Sequence, residues 1–175
     1  MVHGEGEIIL KNLFRTYLDD QDWSKVNGVS TKTMRTMPEE RINDLDELPS
    51  PYLTNLILDV ADKESDYQWD CCWETNRGCP YQCTFCSSPQ MWTTKWQARN
   101  VDDVIEEMQF YIDKYKVTNF DFYDLTTIVR KDWIVAFCQK VIKKNWNITW
   151  QMPAGTRSEA LDDETLGLMV LSGQQ

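Results

Sequence analysis

The chain has 175 residues, which is enough for one modest domain or for a small domain with an appendage. Hydrophobic residues make up 42% of the chain, a share compatible with a packed core, and the formal net charge is −10. An acidic surface repels phosphate groups, so the composition excludes nucleic acid as a general electrostatic partner. No run of about 18 apolar residues occurs, and the sequence therefore predicts no membrane span.

The cysteines and the first residues of the chain predict a cytoplasmic protein. Residues 1–7 lack the basic and apolar regions of a secretory signal. The chain has six cysteines without an export signal, which points to a reducing compartment where thiols stay free to bind metal.

The first third of the chain reads as one helix followed by a linker. Apolar residues at helical spacing predict an amphipathic helix over residues 8–18, and residues 4–7, GEGE, read as a plain turn before it. Residues 19–66 begin with a polar, turn-rich stretch that contains Pro38, Pro49 and Pro51. This composition predicts a linker, with a short hairpin around residue 28.

Strands and helices alternate in the rest of the chain. Residues 67–75 alternate as a strand does, with Trp69, Cys71 and Trp73 on one face. Cys71 and Cys72 then point to opposite faces, and at least one is expected to be a buried small hydrophobe. The later predicted elements are a helix at 101–115 with Asn100 as N-cap, a strand at 117–123, a helix at 132–144 that buries Cys138, a strand at 147–152 and a helix that begins at Asp162.

Strand, loop and helix thus follow one another three times, which predicts an α/β fold with a parallel sheet. The carboxyl ends of parallel strands meet at one edge of such a sheet, and chemistry collects there. This rule brings together residues 79–86, Asp124 and residues 153–159. Asp124 and Arg157 are therefore candidate functional residues, with solvated loop charges as the alternative interpretation.

Three cysteines stand close together in residues 78–86, GCPYQCTFC, which we call the cysteine loop. Cys79, Cys83 and Cys86 have the spacing CxxxCxxC, and thiolates grouped so tightly can jointly hold a soft metal centre. The spacing alone leaves three interpretations open: a disulfide pair, a zinc site, or a cubane cluster with one iron left open. Zinc sites usually combine two CxxC-type pairs, and a second pair is missing from this sequence.

Residues 74–86, ETNRGCPYQCTFC, closely resemble the cluster loop of radical S-adenosylmethionine enzymes, in which an aromatic residue precedes the last cysteine as Phe85 does here. The resemblance implies a 4Fe–4S cluster on Cys79, Cys83 and Cys86 with S-adenosylmethionine on the fourth iron. It also implies an electron donor and reductive cleavage of S-adenosylmethionine to a 5′-deoxyadenosyl radical.

Two further segments are similar to one branch of that family. Residues 2–7 resemble the end of the cobalamin-binding domain that precedes the barrel in this branch, and residues 44–52 resemble its connector. The resemblance implies that residues 1–18 are the remnant end of a cobalamin-binding-type domain and residues 67–175 the N-terminal half of a core domain. The DxHxxG segment of the cobalt-ligating histidine is not in the sequence, so no cobalamin binding is assigned.

The resemblance also suggests how S-adenosylmethionine is held. Asp124 stands where the family has a Gly-Gly-Glu-like segment and carries over, without the glycines, as a contact for the methionyl amino group. Phe85 would approach adenine mainly through its backbone. Residues 155–159 are similar to a segment beside the cosubstrate, where Arg157 could pair with its carboxylate and Glu159 is a further candidate.

The family barrel has about six β/α units, and this sequence supplies about three, so the resemblance implies a partial (β/α) barrel from a truncated or fragmentary chain. A chain that completes the barrel is an expected partner, and the substrate is not readable. A non-catalytic zinc- or iron–sulfur-binding module is the alternative to an enzyme.

Overall fold

The computed structural model describes residues 1–50 and 70–175, and of residues 70–73 it describes the backbone. Its chain divides into two compact units, residues 1–43 and 44–175. Within the described residues, no helix is both long enough and apolar enough to cross a membrane.

The first unit is built on helix α1, Gly6–Leu18, which confirms the helix predicted at residues 8–18. Ile9 is fully buried and packs with Val26 and Val29 in a small apolar cluster. Residues 19–43 therefore belong to the same compact unit as the helix. The proposed limits of a domain remnant at 1–18 and a linker at 19–66 stay a prediction.

The second unit contains the alternating strands and helices. Its strands are β1 (Asp70–Trp73), β2 (Asn76–Arg77), β3 (Gln97–Ala98), β4 (Asn119–Phe122) and β5 (Thr149–Gln151). Its helices are α2 (Ser88–Met91), α3 (Val101–Tyr115), α4 (Lys131–Lys144) and α5 (Asp163–Leu171). The three long helices and the strands β4 and β5 confirm the sequence prediction, although the strands are shorter than predicted at both ends.

The main sheet has the order β1-β4-β5, and both neighbouring pairs are parallel. The predicted α/β fold with a parallel sheet is confirmed for these strands. The sheet is open, and the more specific prediction of a partial barrel stays a prediction. The predicted strand at 67–75 is described from Asp70 onward, so its start and the facing of Trp69, Cys71 and Trp73 lie outside the described side chains.

Aromatic side chains form the core between the sheet and the helices. Phe122 stacks on Trp150 with ring centroids 5.3 Å apart, and Phe137 of α4 meets both rings edge-on. Phe120, Phe122, Phe137 and Trp150 are completely buried, and so is Cys138, as predicted. Burial of this much aromatic surface is the main favourable contribution to the stability of the unit.

Polar side chains occupy the other face of the same sheet. Asp121 alternates with Phe120 and Phe122 along β4, so its side chain lies on the opposite face. Its carboxylate accepts hydrogen bonds from Asn119 Nδ2 at 2.9 Å and from Gln151 Nε2 at 2.8 Å. The sheet therefore has one aromatic face and one polar face.

Side-chain caps begin helices α3 and α5. Asn100 accepts a hydrogen bond from the backbone N–H of Asp102 at 2.8 Å, which confirms it as the N-cap of α3. Asp162 caps α5 in the same way through the N–H of Thr165 at 2.9 Å. After α5, Gly173 turns the chain with φ +98°, and its carbonyl accepts a hydrogen bond from Trp150 N.

The surroundings of Gly173 predict a large cost for a side chain at this position. A Cβ there would lie 2.4 Å from the carbonyl oxygen of Ile148, in a backbone conformation that L-residues disfavour. We expect Gly173→Ala to lower the free energy of unfolding by about 2 kcal/mol or more. The control Gly167→Ala lies inside α5, where an added Cβ would meet no atom beyond its own helix backbone and chain neighbours within 4 Å. It should stabilise the chain by up to about 1 kcal/mol. Equal effects of the two variants in urea denaturation would contradict this account.

Candidate functional site

A short antiparallel pair of strands, β2 and β3, flanks the segment that contains the cysteine loop. β2 and β3 pair Asn76 with Ala98 and Arg77 with Gln97, and the N–H of Arg99 donates to the carbonyl of Thr75 at 2.8 Å. Residues 78–96 thus form one long segment between β2 and β3, here called the excursion, and the pairing of the two strands holds its ends together. The sequence did not reveal this pair, because two-residue strands carry no periodic signal.

The first turn of the excursion needs a glycine. Gly78 has φ +87°, in the left-handed region that residues with a side chain rarely adopt. Cys79 follows directly, and a turn from Cys83 to Cys86, closed by a backbone hydrogen bond of 3.0 Å, brings the last two cysteines onto one bend. All three thiols are free in the structure.

Asp124 joins the end of β4 to the start of this excursion. Its Oδ1 accepts from the backbone N–H groups of Thr75 at 2.7 Å and Asn76 at 2.8 Å, and its Oδ2 accepts from the hydroxyl of Thr75 at 2.7 Å. The side chain of Asn76 in turn donates to the carbonyl of Thr127 at 3.2 Å. One carboxylate and one amide therefore connect the loops that follow β1 and β4.

The carboxylate of Asp124 is buried, with 2% of the residue exposed. Burial raises its pKa from 3.8 to about 6, because desolvation outweighs the three hydrogen bonds that favour the charged form. Asp124 therefore lies at the predicted edge of the sheet, with its oxygens bound to Thr75 and Asn76. Its predicted contact with an amino group stays a prediction.

Two of the three thiols accept hydrogen bonds from side chains outside the cysteine loop. Thr126 Oγ1 lies 3.1 Å from Cys79 Sγ, and Arg157 Nη2 lies 3.0 Å from Cys83 Sγ. Cys86 Sγ accepts from the backbone N–H of Ser88 at 3.4 Å. The loops after β4 and β5 thus reach the cysteine loop.

Arg157 is the predicted site residue that lies best placed against this loop. Its guanidinium carbon lies 4.2 Å from the centroid of the Tyr81 ring, and Nη1 is 3.7 Å from the carboxylate of Glu159. Phe85, also predicted, is 91% exposed beside Cys86. Thr126 was missed, although it follows β4 at the same edge as Asp124, and the edge rule could have included it.

In residues 1–50 and 74–175, whose side chains the structure describes, no three His, Cys, Asp or Glu side chains lie close enough together to hold a metal ion. The three thiols of the cysteine loop therefore do not form such a group in the structure. What the structure provides is a set of three soft thiol ligands in one eight-residue segment, each with a hydrogen-bond donor. The composition of this ligand set fits an iron–sulfur cluster.

Three curated proteins illustrate what the chain is similar to. It is 34% identical over 121 residues to 2-(S-pantetheinyl)-carbapenam-3-carboxylate methyltransferase of Streptantibioticus cattleyicolor, covering 65% of this chain and 18% of that protein. It is 36% identical over 117 residues to the cobalamin-dependent radical SAM methyltransferase TokK of Streptomyces tokunonensis, covering 61% and 17%. It is 25% identical over 186 residues to the anaerobic magnesium-protoporphyrin IX monomethyl ester cyclase of Rubrivivax gelatinosus, covering 99% and 32%. No protein-family model matches the chain.

Two solved structures share its fold. The cobalamin-dependent S-adenosylmethionine radical enzyme OxsB, solved with aqua-cobalamin and S-adenosylmethionine bound, matches 98% of this chain and 26% of its own, with a TM-score of 0.77 and 18% identity. The radical S-adenosylmethionine methyltransferase TsrM from Kitasatospora setae, solved with cobalamin and a [4Fe–4S] cluster, matches 99% and 36%, with a TM-score of 0.68 and 16% identity.

The sequence comparison and the structure comparison find the same kind of enzyme. The chain is thus similar to enzymes of the radical S-adenosylmethionine superfamily, among them TokK, OxsB and TsrM. It spans between about a sixth and a third of the length of the curated relatives named above. Within this superfamily, residues 74–86 are the segment that carries the resemblance found in the sequence.

The burial of Asp124 predicts a pH-dependent contribution to stability. A carboxyl group whose pKa is higher in the folded than in the unfolded chain binds its proton more tightly when folded, so the folded chain loses stability as the pH rises from about 4 to 7. For a shift from 3.8 to about 6, the loss is about 3 kcal/mol.

Asp124→Asn isolates this contribution, because asparagine has a similar shape and does not titrate. The free energy of unfolding of the wild type, minus that of Asp124→Asn, should fall by about 2–3 kcal/mol between pH 4 and pH 7. Urea denaturation at several pH values measures it. Asp163→Asn, at an exposed carboxylate in the first turn of α5, is the control and should show no comparable change. A pH-independent difference for Asp124→Asn would contradict the assignment.

Proposed function

We propose that this chain carries the cluster-binding part of a radical S-adenosylmethionine enzyme, in which Cys79, Cys83 and Cys86 ligate a 4Fe–4S cluster. The observation that carries the proposal is the CxxxCxxC segment at the carboxyl end of β1, in a chain similar to enzymes of this superfamily. TsrM, which shares the fold, was solved with such a cluster bound.

The ligands present suit this role. Three thiols are free, lie in one segment and have N–H or O–H donors beside them, and sulfur is the ligand atom that holds iron–sulfur clusters. When bound, the cluster supplies one electron to the sulfonium of S-adenosylmethionine, which then gives methionine and a 5′-deoxyadenosyl radical. An electron donor is therefore required, and the radical would abstract hydrogen from a substrate that the sequence does not identify.

Asp124 would act mainly as a positioning residue in this proposal. Its carboxylate fixes the backbone of Thr75 and Asn76, four and three residues before the first cysteine. The position of Cys79 relative to the sheet therefore depends on this buried contact. Oδ2 accepts one hydrogen bond and Oδ1 accepts two, so a direct contact between Asp124 and the methionyl amino group would use the remaining lone pair of Oδ2.

Arg157 and Phe85 would face the cosubstrate. The guanidinium has five N–H donors, so its contact with Cys83 leaves others for the carboxylate of S-adenosylmethionine. Phe85 is exposed beside Cys86, where its backbone could meet adenine. Glu159, whose side chain is 58% exposed, would orient Arg157 and is the weakest of the four predicted contacts.

The larger architecture is proposed on the same basis. The three β/α units of residues 70–175 would form part of a (β/α) barrel, as the first half of a core domain that starts near residue 67. Residues 1–18 would be the end of a cobalamin-binding-type domain. The curated relatives are named for methyl transfer and for ring cyclisation, so the proposal stops at radical formation.

A metal-binding module without catalysis is the second candidate function. The observation that favours it is that three free thiols in one short segment are soft ligands that also suit zinc. Such a module would bind zinc or a cluster and would not cleave S-adenosylmethionine.

Anaerobic reconstitution with iron and sulfide tests the proposal. The wild type should bind about four irons per chain and absorb near 400 nm. With dithionite and S-adenosylmethionine it should form 5′-deoxyadenosine. Cys79→Ala, Cys83→Ala and Cys86→Ala should each lose most of the iron and all product, because each removes one cluster ligand.

Cys138→Ala is the matched control, since this thiol is buried in the core and burial raises its pKa to about 11. It should keep the iron content and the product yield, even if it unfolds more easily. Stoichiometric zinc without any 5′-deoxyadenosine would favour the module instead. Equal iron loss in Cys138→Ala and the loop variants would contradict the ligand assignment.

A further inference from the structure

Two side-chain donors reach the cysteine thiols from different strands. Thr126 Oγ1 lies 3.1 Å from Cys79 Sγ, and Arg157 Nη2 lies 3.0 Å from Cys83 Sγ. Thr126 follows β4 and Arg157 follows β5, so neither belongs to the cysteine loop. Both distances lie within the range of a hydrogen bond to sulfur.

Thr126 is held firmly in its place. The residue is 5% exposed, and its carbonyl accepts a hydrogen bond from Trp96 Nε1 at 3.1 Å. Its hydroxyl has two acceptors in reach, Cys79 Sγ and the carbonyl of Leu125 at 2.8 Å. A negatively charged sulfur attracts the hydroxyl hydrogen more strongly than a neutral carbonyl does, so a ligating thiolate would draw it away from Leu125.

Arg157 is anchored from two sides. Its guanidinium lies over the ring of Tyr81 at 4.2 Å, and Glu159 lies 3.7 Å from Nη1. Tyr81 belongs to the cysteine loop, between Cys79 and Cys83. The guanidinium is a cation, so this contact places a positive charge against a thiol.

We propose that Thr126 and Arg157 hold hydrogen bonds to the thiolates of Cys79 and Cys83 in the loaded protein and thereby raise the reduction potential of the cluster. This inference rests on the proposed function, because it requires the cluster to be present on these cysteines. Reduction adds one negative charge that spreads onto the ligating sulfurs. Donors and a positive charge at these sulfurs stabilise the reduced form more than the oxidised form, which makes the potential less negative.

A potentiometric titration followed by electron paramagnetic resonance tests the inference on the anaerobically reconstituted chain. Arg157→Gln and Thr126→Val should each shift the midpoint potential to more negative values, and the double variant should shift it further. Thr126→Ser keeps the hydroxyl and should stay close to the wild type. Arg157→Lys keeps the charge and loses the planar fork, so its potential should lie between the wild type and Arg157→Gln.

Arg130→Gln is the control for charge alone. Arg130 is exposed and pairs with Asp132, so this variant also removes one positive charge, and it should leave the potential unchanged. Circular dichroism checks the fold of each variant. If Thr126→Val does not fold, the Arg157 and Arg130 variants decide the question, because Arg157 is half exposed and its replacement opens no cavity.

Three outcomes are distinguishable. A more negative potential in Arg157→Gln and Thr126→Val, at normal iron content, supports the inference. Lower iron content with an unchanged potential means that the two residues only position the loop, and it overturns the inference while the proposed function stands. If the wild type assembles no cluster, the proposed function fails and this inference fails with it.

Discussion

The structure of the site depends on one buried carboxylate. Asp124 lies two residues after β4 and accepts hydrogen bonds from two backbone N–H groups and one hydroxyl of Thr75 and Asn76, just after β1. Burying a carboxylate is expensive, and the three donors offset only part of that cost, which is why its pKa is raised to about 6. The contact holds the residues that lead into the cysteine loop in a fixed position at the edge of the sheet.

From this contact the rest of the site follows in order. The pair of β2 and β3 closes the base of the excursion, and the loops after β4 and β5 approach its thiols from the side. Each of the three strands of the parallel sheet therefore contributes a loop to one edge. The chemistry is carried by loops, while the position of each loop is set by a rigid, aromatic core.

Much of this arrangement could be predicted from the sequence, and the remainder depends on contacts between distant residues. Periodicity identified α3, α4 and β4, and the edge rule brought Arg157 to the cysteine loop. The same reasoning located Asp124 but could not supply its partners, because Thr75 and Asn76 lie 49 and 48 residues away along the chain. The strands β2 and β3 have only two residues each, too few to form a pattern.

The polar face of the main sheet has a consequence for how the strands can align. Asp121 accepts hydrogen bonds from Asn119 on its own strand and from Gln151 on β5, while Phe120, Phe122 and Trp150 fill the opposite face. Sliding either strand by a single position would exchange these faces, driving a carboxylate among aromatic rings and turning rings toward the amides. Alternative alignments thus cost free energy on both faces of the sheet, which favours a single alignment of the strands and keeps the loops that follow them in one spatial order.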